Sequence, residues 1–201
     1  QRQMCIRDRV RNELENFMFA NGADSLAFGS IVASGPNTAN PHAVPSDRVI
    51  EKGDFVLMDY GAGYCDYRSD MTRTVVMGEP TQEQLDLYAL VRRTHEECVA
   101  AIHPGVEGND IFKLSKKIIG DAGYGDYYNH GLGHGVGIDI HELPNFNRSK
   151  NIIEVGSVIT MEPGVYLPGV GGVRLEDYGV VTENGYEPFT KTPHDLHVID
   201  C

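Results

Sequence analysis

Phe55-Val-Leu-Met-Asp59-Tyr-Gly61-Ala-Gly63-Tyr-Cys-Asp-Tyr-Arg-Ser-Asp70-Met-Thr-Arg-Thr74 is the stretch from which the fold can be read. The apolar run Phe55 to Met58, entered from the turn Glu51-Lys52-Gly53-Asp54, predicts a short buried strand that ends at Asp59. Gly61-Ala62-Gly63 is expected to reverse the chain, and Tyr64 to Thr74 to run back as the partner strand. Such a hairpin can bring Asp59 and Asp70 face to face. A carboxylate placed directly after an apolar run also needs a partner, because an isolated buried charge is costly.

Before the hairpin, Val10, Leu14, Phe17 and Met18 fall at helical spacing, and Asn21-Gly22 ends the run as a C-cap. Residues 26–34 read as a strand, followed by a turn-rich loop, Gly35-Pro36-Asn37-Thr38-Ala39-Asn40-Pro41-His42, which sets His42 beside a loop. After the hairpin, Thr81 and Gln84 form a capping-box pattern that opens a helix carrying Leu85, Tyr88, Val91, Cys98, Val99 and Ile102 as far as His103-Pro104-Gly105. A further helix runs from Asn109 or Asp110 to Gly123, with Ile111, Leu114, Ile118 and Ile119 inward. The rest is strand-like: 130–141, 155–162, 172–182 and 196–199. Strands on both sides of a helical pair predict an α+β domain over residues 10–201. Residues 1–9 lack apolar periodicity and open without Met, so they are read as non-native adapter sequence, and the chain as an N-terminally truncated fragment.

A chain of 201 residues with 41% hydrophobic content can bury a core as one domain. No apolar run approaches the length of a membrane span. The formal charge of −12, with Arg92-Arg93 and Lys116-Lys117 as isolated basic pairs, argues against a nucleic-acid partner. Four cysteines without CxxC pairing or framework spacing fit a reducing cytoplasm.

The chemistry-bearing residues are Asp59, Asp70, His134, Glu162 and Glu176, four carboxylates and one imidazole, an oxygen-rich ligand set for two divalent metals. A pair of such ions activates water and polarises a carbonyl, so the chain reads first as a metallohydrolase. In His130-Gly-Leu-Gly-His134-Gly-Val-Gly-Ile-Asp-Ile-His141, glycine at every second position from 131 to 137 leaves one strand face bare for close approach by a ligand or another backbone. His134 and His141 would lie on opposite faces of a regular strand, so a bend is required if both serve one site. Glu162 ends a strand in Thr160-Met-Glu-Pro-Gly164, and alternation puts Arg174 and Glu176 on one face. HExxH, GxGxxG, GxSxG and the P-loop pattern are absent.

Taken in order, Ser34 to His42, Met58 to Thr74, His130 to Pro144, Thr160 to Gly164 and Gly172 to Asp177 resemble the family of Xaa-Pro dipeptidases, Xaa-Pro aminopeptidases and methionine aminopeptidases. The resemblance implies the pita-bread fold, an antiparallel sheet with covering helices. It also implies two divalent ions, Mn²⁺ first, with Co²⁺ or Zn²⁺ as substitutes. Asp59 would chelate one ion, Asp70 and Glu176 would bridge the pair, and His134 with Glu162 would complete the second. The same carry-over makes His42 and His141 substrate-contacting catalytic groups, puts His130 on the specificity side, steadies the site with Arg174 and gives Glu162 the proton-handling role. It implies a short peptide as partner, cleavage after an N-terminal residue at Xaa-Pro bonds, and a homodimer in the full-length protein. A methionine aminopeptidase, a non-catalytic binding protein and a metal-free creatinase-like hydrolase are the alternatives; the complete ligand set opposes the last two.

Overall fold

In the computed structural model, which describes residues 7–41 and 48–200, the chain enters through α1 (Arg7–Ala20). Its end is closed by Asn21 Nδ2 donating to the Phe17 carbonyl at 2.8 Å and by Gly22 at φ 101°. The strand expected over 26–34 divides into β1 (Ser25–Leu26) and β2 (Ile31–Ser34), because its two ends pair with different neighbours. The hairpin follows as β3 (Phe55–Tyr60), β4 (Ala62–Tyr64), β5 (Tyr67–Arg68) and β6 (Met71–Met77). β3 and β6 pair antiparallel from Phe55↔Val76 to Tyr60↔Met71.

The reversal itself is not at Gly61-Ala62-Gly63. It lies at the far tip, where Cys65 and Asp66 adopt φ 48° and 69° between β4 and β5. Gly61 and Gly63 serve contact: a Cβ on Gly61 would lie 1.9 Å from the Ser69 carbonyl oxygen, and one on Gly63 2.3 Å from Ser25 Oγ.

α2 (Gln82–Ala100) starts at the expected capping box, with Gln84 N donating to Thr81 Oγ1 at 3.2 Å and Thr81 N donating to Gln84 Oε1 at 2.9 Å. α3 (Gly108–Asp121) starts slightly early, with Gly108 N donating to the Asn151 carbonyl at 2.8 Å rather than to a capping side chain. The strand-rich remainder comprises β7 (Gly133–Gly135), β8 (Glu142–Phe146), β9 (Val158–Met161), β10 (Gly164–Leu167), β11 (Gly171–Arg174), β12 (Asp177–Thr182), β13 (Gly185–Pro188) and β14 (Val198–Ile199). The run expected over 172–182 is therefore broken at Leu175 and Glu176, and β10 and β13 are additional.

Two sheets carry the fold: four strands in the order β14-β6-β3-β2, with β14 parallel to β6, and five antiparallel strands in the order β13-β12-β9-β7-β8. One apolar cluster joins Phe55 and Val76 to Leu87, Tyr88 and Val91 of α2 and to Val165 and Val173 of the β10–β11 hairpin. A second joins Ile159, Met161 and Val181 of the larger sheet to Cys98 and Ile111. α2 contributes to both and so splints the two sheets. Among the described residues, no helix is long and apolar enough to cross a membrane.

Candidate metal centre

At Gly133 and Gly135 of the histidine-rich stretch, the space a side chain would take is filled by neighbouring backbone. A Cβ on Gly133 would meet the Thr160 carbonyl oxygen at 2.2 Å, and one on Gly135 the Leu143 carbonyl oxygen at 2.3 Å. β7 is thus pressed between β9 and β8, with its register shifted between Gly133 and Gly135. The strand ends there and the chain bends, which answers the facing problem: the His134 and His141 rings have centroids 4.4 Å apart.

His134 is held from both ends. Its backbone N donates to Thr160 Oγ1 at 3.0 Å, and Nδ1 meets the Gly135 carbonyl at 3.0 Å. With the proton on Nδ1, Nε2 presents its lone pair 3.6 Å from Asp70 Oδ2 and 3.5 Å from Glu162 Oε1. Glu162 is set by its own N donating to the Leu132 carbonyl at 2.8 Å. Glu176 is delivered by an isolated bridge to Thr72, whose Oγ1 donates to Glu176 Oε2 at 2.6 Å. Asp59, at the end of β3, finds the partner that its position demands in Arg174, whose guanidinium also donates to Tyr166 Oη at 2.8 Å and Thr72 Oγ1 at 3.0 Å.

Asp59, Asp70, His130, His134, His141, Glu162, Arg174 and Glu176 line one cavity of about 370 Å³. His42 lies outside the described residues. Donor atoms of Asp70, His134 and Glu176 fall within 4.8 Å of one another. Four carboxylates facing one guanidinium cannot all ionise cheaply in a buried site. Burial first, then Asp59 and Glu162, push Asp70 up to about 9. Burial moves Glu162 up to about 7, with Arg174 opposing and Asp59 adding. Burial, then Asp70 and Glu162, hold Glu176 well above the carboxylate range. His134 goes the other way, down to about 4, chiefly through burial, and so is neutral at pH 7. Crowded oxygen donors with one neutral imidazole fit hard to borderline divalent cations, whose charge offsets the burial and the repulsion that raise these pKa values.

Tyr166 and Thr72 are participants that the sequence reading missed. Tyr166 Oη lies 2.9 Å from His130 Nε2 and accepts from Arg174, so it ties His130 to the Asp59 end of the cavity. The available signal was a tyrosine two residues beyond Pro163-Gly164, inside a run too apolar to leave a hydroxyl unsatisfied.

Two sheets backed by helices, with a carboxylate and imidazole cavity between strand ends, make the chain a pita-bread domain. It belongs to metallopeptidase family M24, whose model matches residues 6–183. It is 45% identical over 188 residues to an Xaa-Pro dipeptidase of Pyrococcus furiosus, covering 93% of this chain and 54% of that protein. Among solved structures it superposes with TM-score 0.95 on an Xaa-Pro dipeptidase from Bacillus anthracis, at 43% identity over 99% of this chain and 56% of that one. It superposes equally, with TM-score 0.95, on an X-Pro aminopeptidase from Thermotoga maritima, at 36% identity, covering 99% of this chain and 57% of that one. The chain thus spans about half the length of the relatives it matches.

Proposed function

We propose that this chain is the catalytic part of a dinuclear-metal exopeptidase that hydrolyses the bond after an N-terminal residue, with Xaa-Pro bonds in dipeptides or short peptides as substrate. The observation that carries the reading is the convergence of Asp59, Asp70, His134, Glu162 and Glu176 on one cavity. In this proposal Asp59, Asp70, His134, Glu162 and Glu176 would hold the two ions, with Asp59 on one, His134 and Glu162 on the other, and Asp70 and Glu176 serving both. Mn²⁺ is the first choice, because carboxylate oxygens outnumber nitrogen donors. When bound, the ions supply Lewis acidity and a water acidic enough to react near neutral pH.

The protein's own groups do the remainder. A Glu162 carboxylate oxygen takes the proton of the attacking water and returns it to the leaving proline nitrogen. His141, beside His134, donates a hydrogen bond to the carbonyl oxygen as charge builds there. His42 is proposed to help position the scissile peptide. His130, fixed by Tyr166, shapes the pocket for the proline ring, and Arg174 keeps Asp59 oriented. An Xaa-Pro bond offers no amide N–H, so selection rests on shape and on the free amine near the acidic cluster. A domain spanning residues 10–201, a cytoplasmic setting and a homodimeric whole protein belong to the same proposal.

Turnover of Ala-Pro, Ala-Pro-Ala and Met-Ala-Ser by the purified, metal-loaded protein sorts the readings. Cleavage of either proline peptide above Met-Ala-Ser supports the proposal. Preference for Met-Ala-Ser turns it into a methionine aminopeptidase, and fewer than one activating Mn, Co or Zn per chain removes the dinuclear mechanism.

A further inference from the structure

Glu176 and Asp177 are neighbours on an extended segment, so their side chains leave in opposite directions. Glu176 enters the cavity, whereas Asp177 points back towards α2 and the segment that follows β13. There Asp177 Oδ2 lies 2.6 Å from His194 Nε2 and 3.5 Å from His95 Nε2. The two rings meet edge to face with centroids 4.9 Å apart. The other oxygen, Oδ1, is already occupied by Arg73 Nη2 and Thr190 Oγ1, each at 2.6 Å. The carboxylate is thereby clamped so that Oδ2 faces both imidazoles.

His95 is the unexplained member. It is 2% exposed, and among the described residues neither of its ring nitrogens makes a hydrogen bond. Buried polar atoms are nearly always satisfied, by protein, water or an ion. Protonation is a poor remedy, since burial pushes this imidazole down to about 4 in spite of Asp177. A neutral ring with an unshared lone pair beside a carboxylate oxygen and a second imidazole is the donor set of a small N/O metal site.

We propose that His95, Asp177 and His194 form a third metal site, distinct from the cavity, which takes one borderline divalent ion such as zinc. The donor atoms already lie within 4.8 Å of one another. His194 is 27% exposed and marks both the entry path and the side on which a solvent molecule completes four-coordination. Arg73 and Thr190 hold the ligating carboxylate from behind. Because Arg73 balances the Asp177 charge, the two imidazoles supply the affinity, which favours zinc over magnesium or calcium. The ion would pin the closing segment, otherwise held by the short β14 and by contacts such as Tyr88 Oη to the His194 carbonyl at 3.2 Å, onto α2.

The test counts zinc and needs no activity, so it is independent of the peptidase reading. Purified protein saturated with zinc and desalted is compared with His194→Ala, a substitution at a part-exposed position, and with Asp70→Asn, which alters only the cavity. One equivalent fewer in His194→Ala than in the unmutated protein, with a zinc-dependent rise in melting temperature that is smaller in His194→Ala than in the unmutated protein and persists in Asp70→Asn, is the expected result. Anomalous diffraction at the zinc edge on the unmutated protein should give a peak between His95 Nε2, Asp177 Oδ2 and His194 Nε2. Equal zinc content in His194→Ala and unmutated protein, or no peak there at saturating zinc, overturns the proposal.

Discussion

Two buried carboxylates one residue apart meet opposite electrostatic conditions. Glu176 shares its cavity with Asp70, Glu162 and Asp59, and burial together with these neighbours holds it well above the carboxylate range. Burial would raise Asp177 as well, yet the His194 hydrogen bond and the Arg73 guanidinium win and hold it well below that range. Charge left uncompensated among oxygens is a place prepared for hard dications. Charge neutralised by a guanidinium and ringed by imidazoles is a structural tie with room for a softer ion. Burial is common to both, so the company each carboxylate keeps decides its role.

The contrast can be attacked first through catalysis. Asp70→Ala removes a proposed bridging donor and should reduce turnover of Ala-Pro by about a thousandfold or more. The EDTA-treated variant should melt no lower than the unmutated protein, because a repelling carboxylate is gone. Near-normal turnover in this variant would end the bridging assignment. On the other side, Asp177→Ala strands Arg73 in the interior and should cost about 3–5 kcal/mol in urea denaturation, as breaking one buried pair does. A cost under about 1 kcal/mol would show that the tie is dispensable.

A third difference is in pH dependence. Asp70 has a folded-state value raised to about 9, so between about pH 7 and 9 the folded metal-free chain holds protons that the unfolded chain has released. Its stability therefore falls as pH rises through that window, most cleanly in its upper half, where His95 and His134 are neutral in the folded and the unfolded chain alike. Saturation with Mn²⁺ should flatten the fall; parallel melting curves with and without metal would contradict the repulsion argument. The smallest effect belongs to Tyr166→Phe, which removes one acceptor for Arg174 and should cost about 1 kcal/mol in stability. KM should rise while bound metal per chain is unchanged, and a loss of metal would place Tyr166 nearer the ions than its contacts indicate.

The hairpin, both long helices and the five acidic and imidazole positions could be read from local pattern, because each lies beside an apolar run, a capping signal or a strand-breaking Pro or Gly. What escaped depends on which segments meet. Gly61 and Gly63 look like a turn but are small because Ser69 and Ser25 crowd them, and the turn falls to Cys65 and Asp66, where a short polar side chain tolerates positive φ. The His134–His141 encounter needs a bend imposed by β8 and β9 from either side. His95, Asp177 and His194 share no motif at all; only the packing of α2 against the closing segment brings them together.

The bridge between Thr72 and Glu176 has one more consequence. β6 reads Met-Thr-Arg-Thr-Val-Val-Met, a β-prone run with β3 on one side. Its other edge is covered in two places, at Thr72 by the Glu176 segment and at Val76 and Met77 by β14. An uncovered strand of this composition recruits foreign strands and seeds aggregation. Placement of a proposed metal ligand and cover for this part of the β6 edge are thus achieved by one contact.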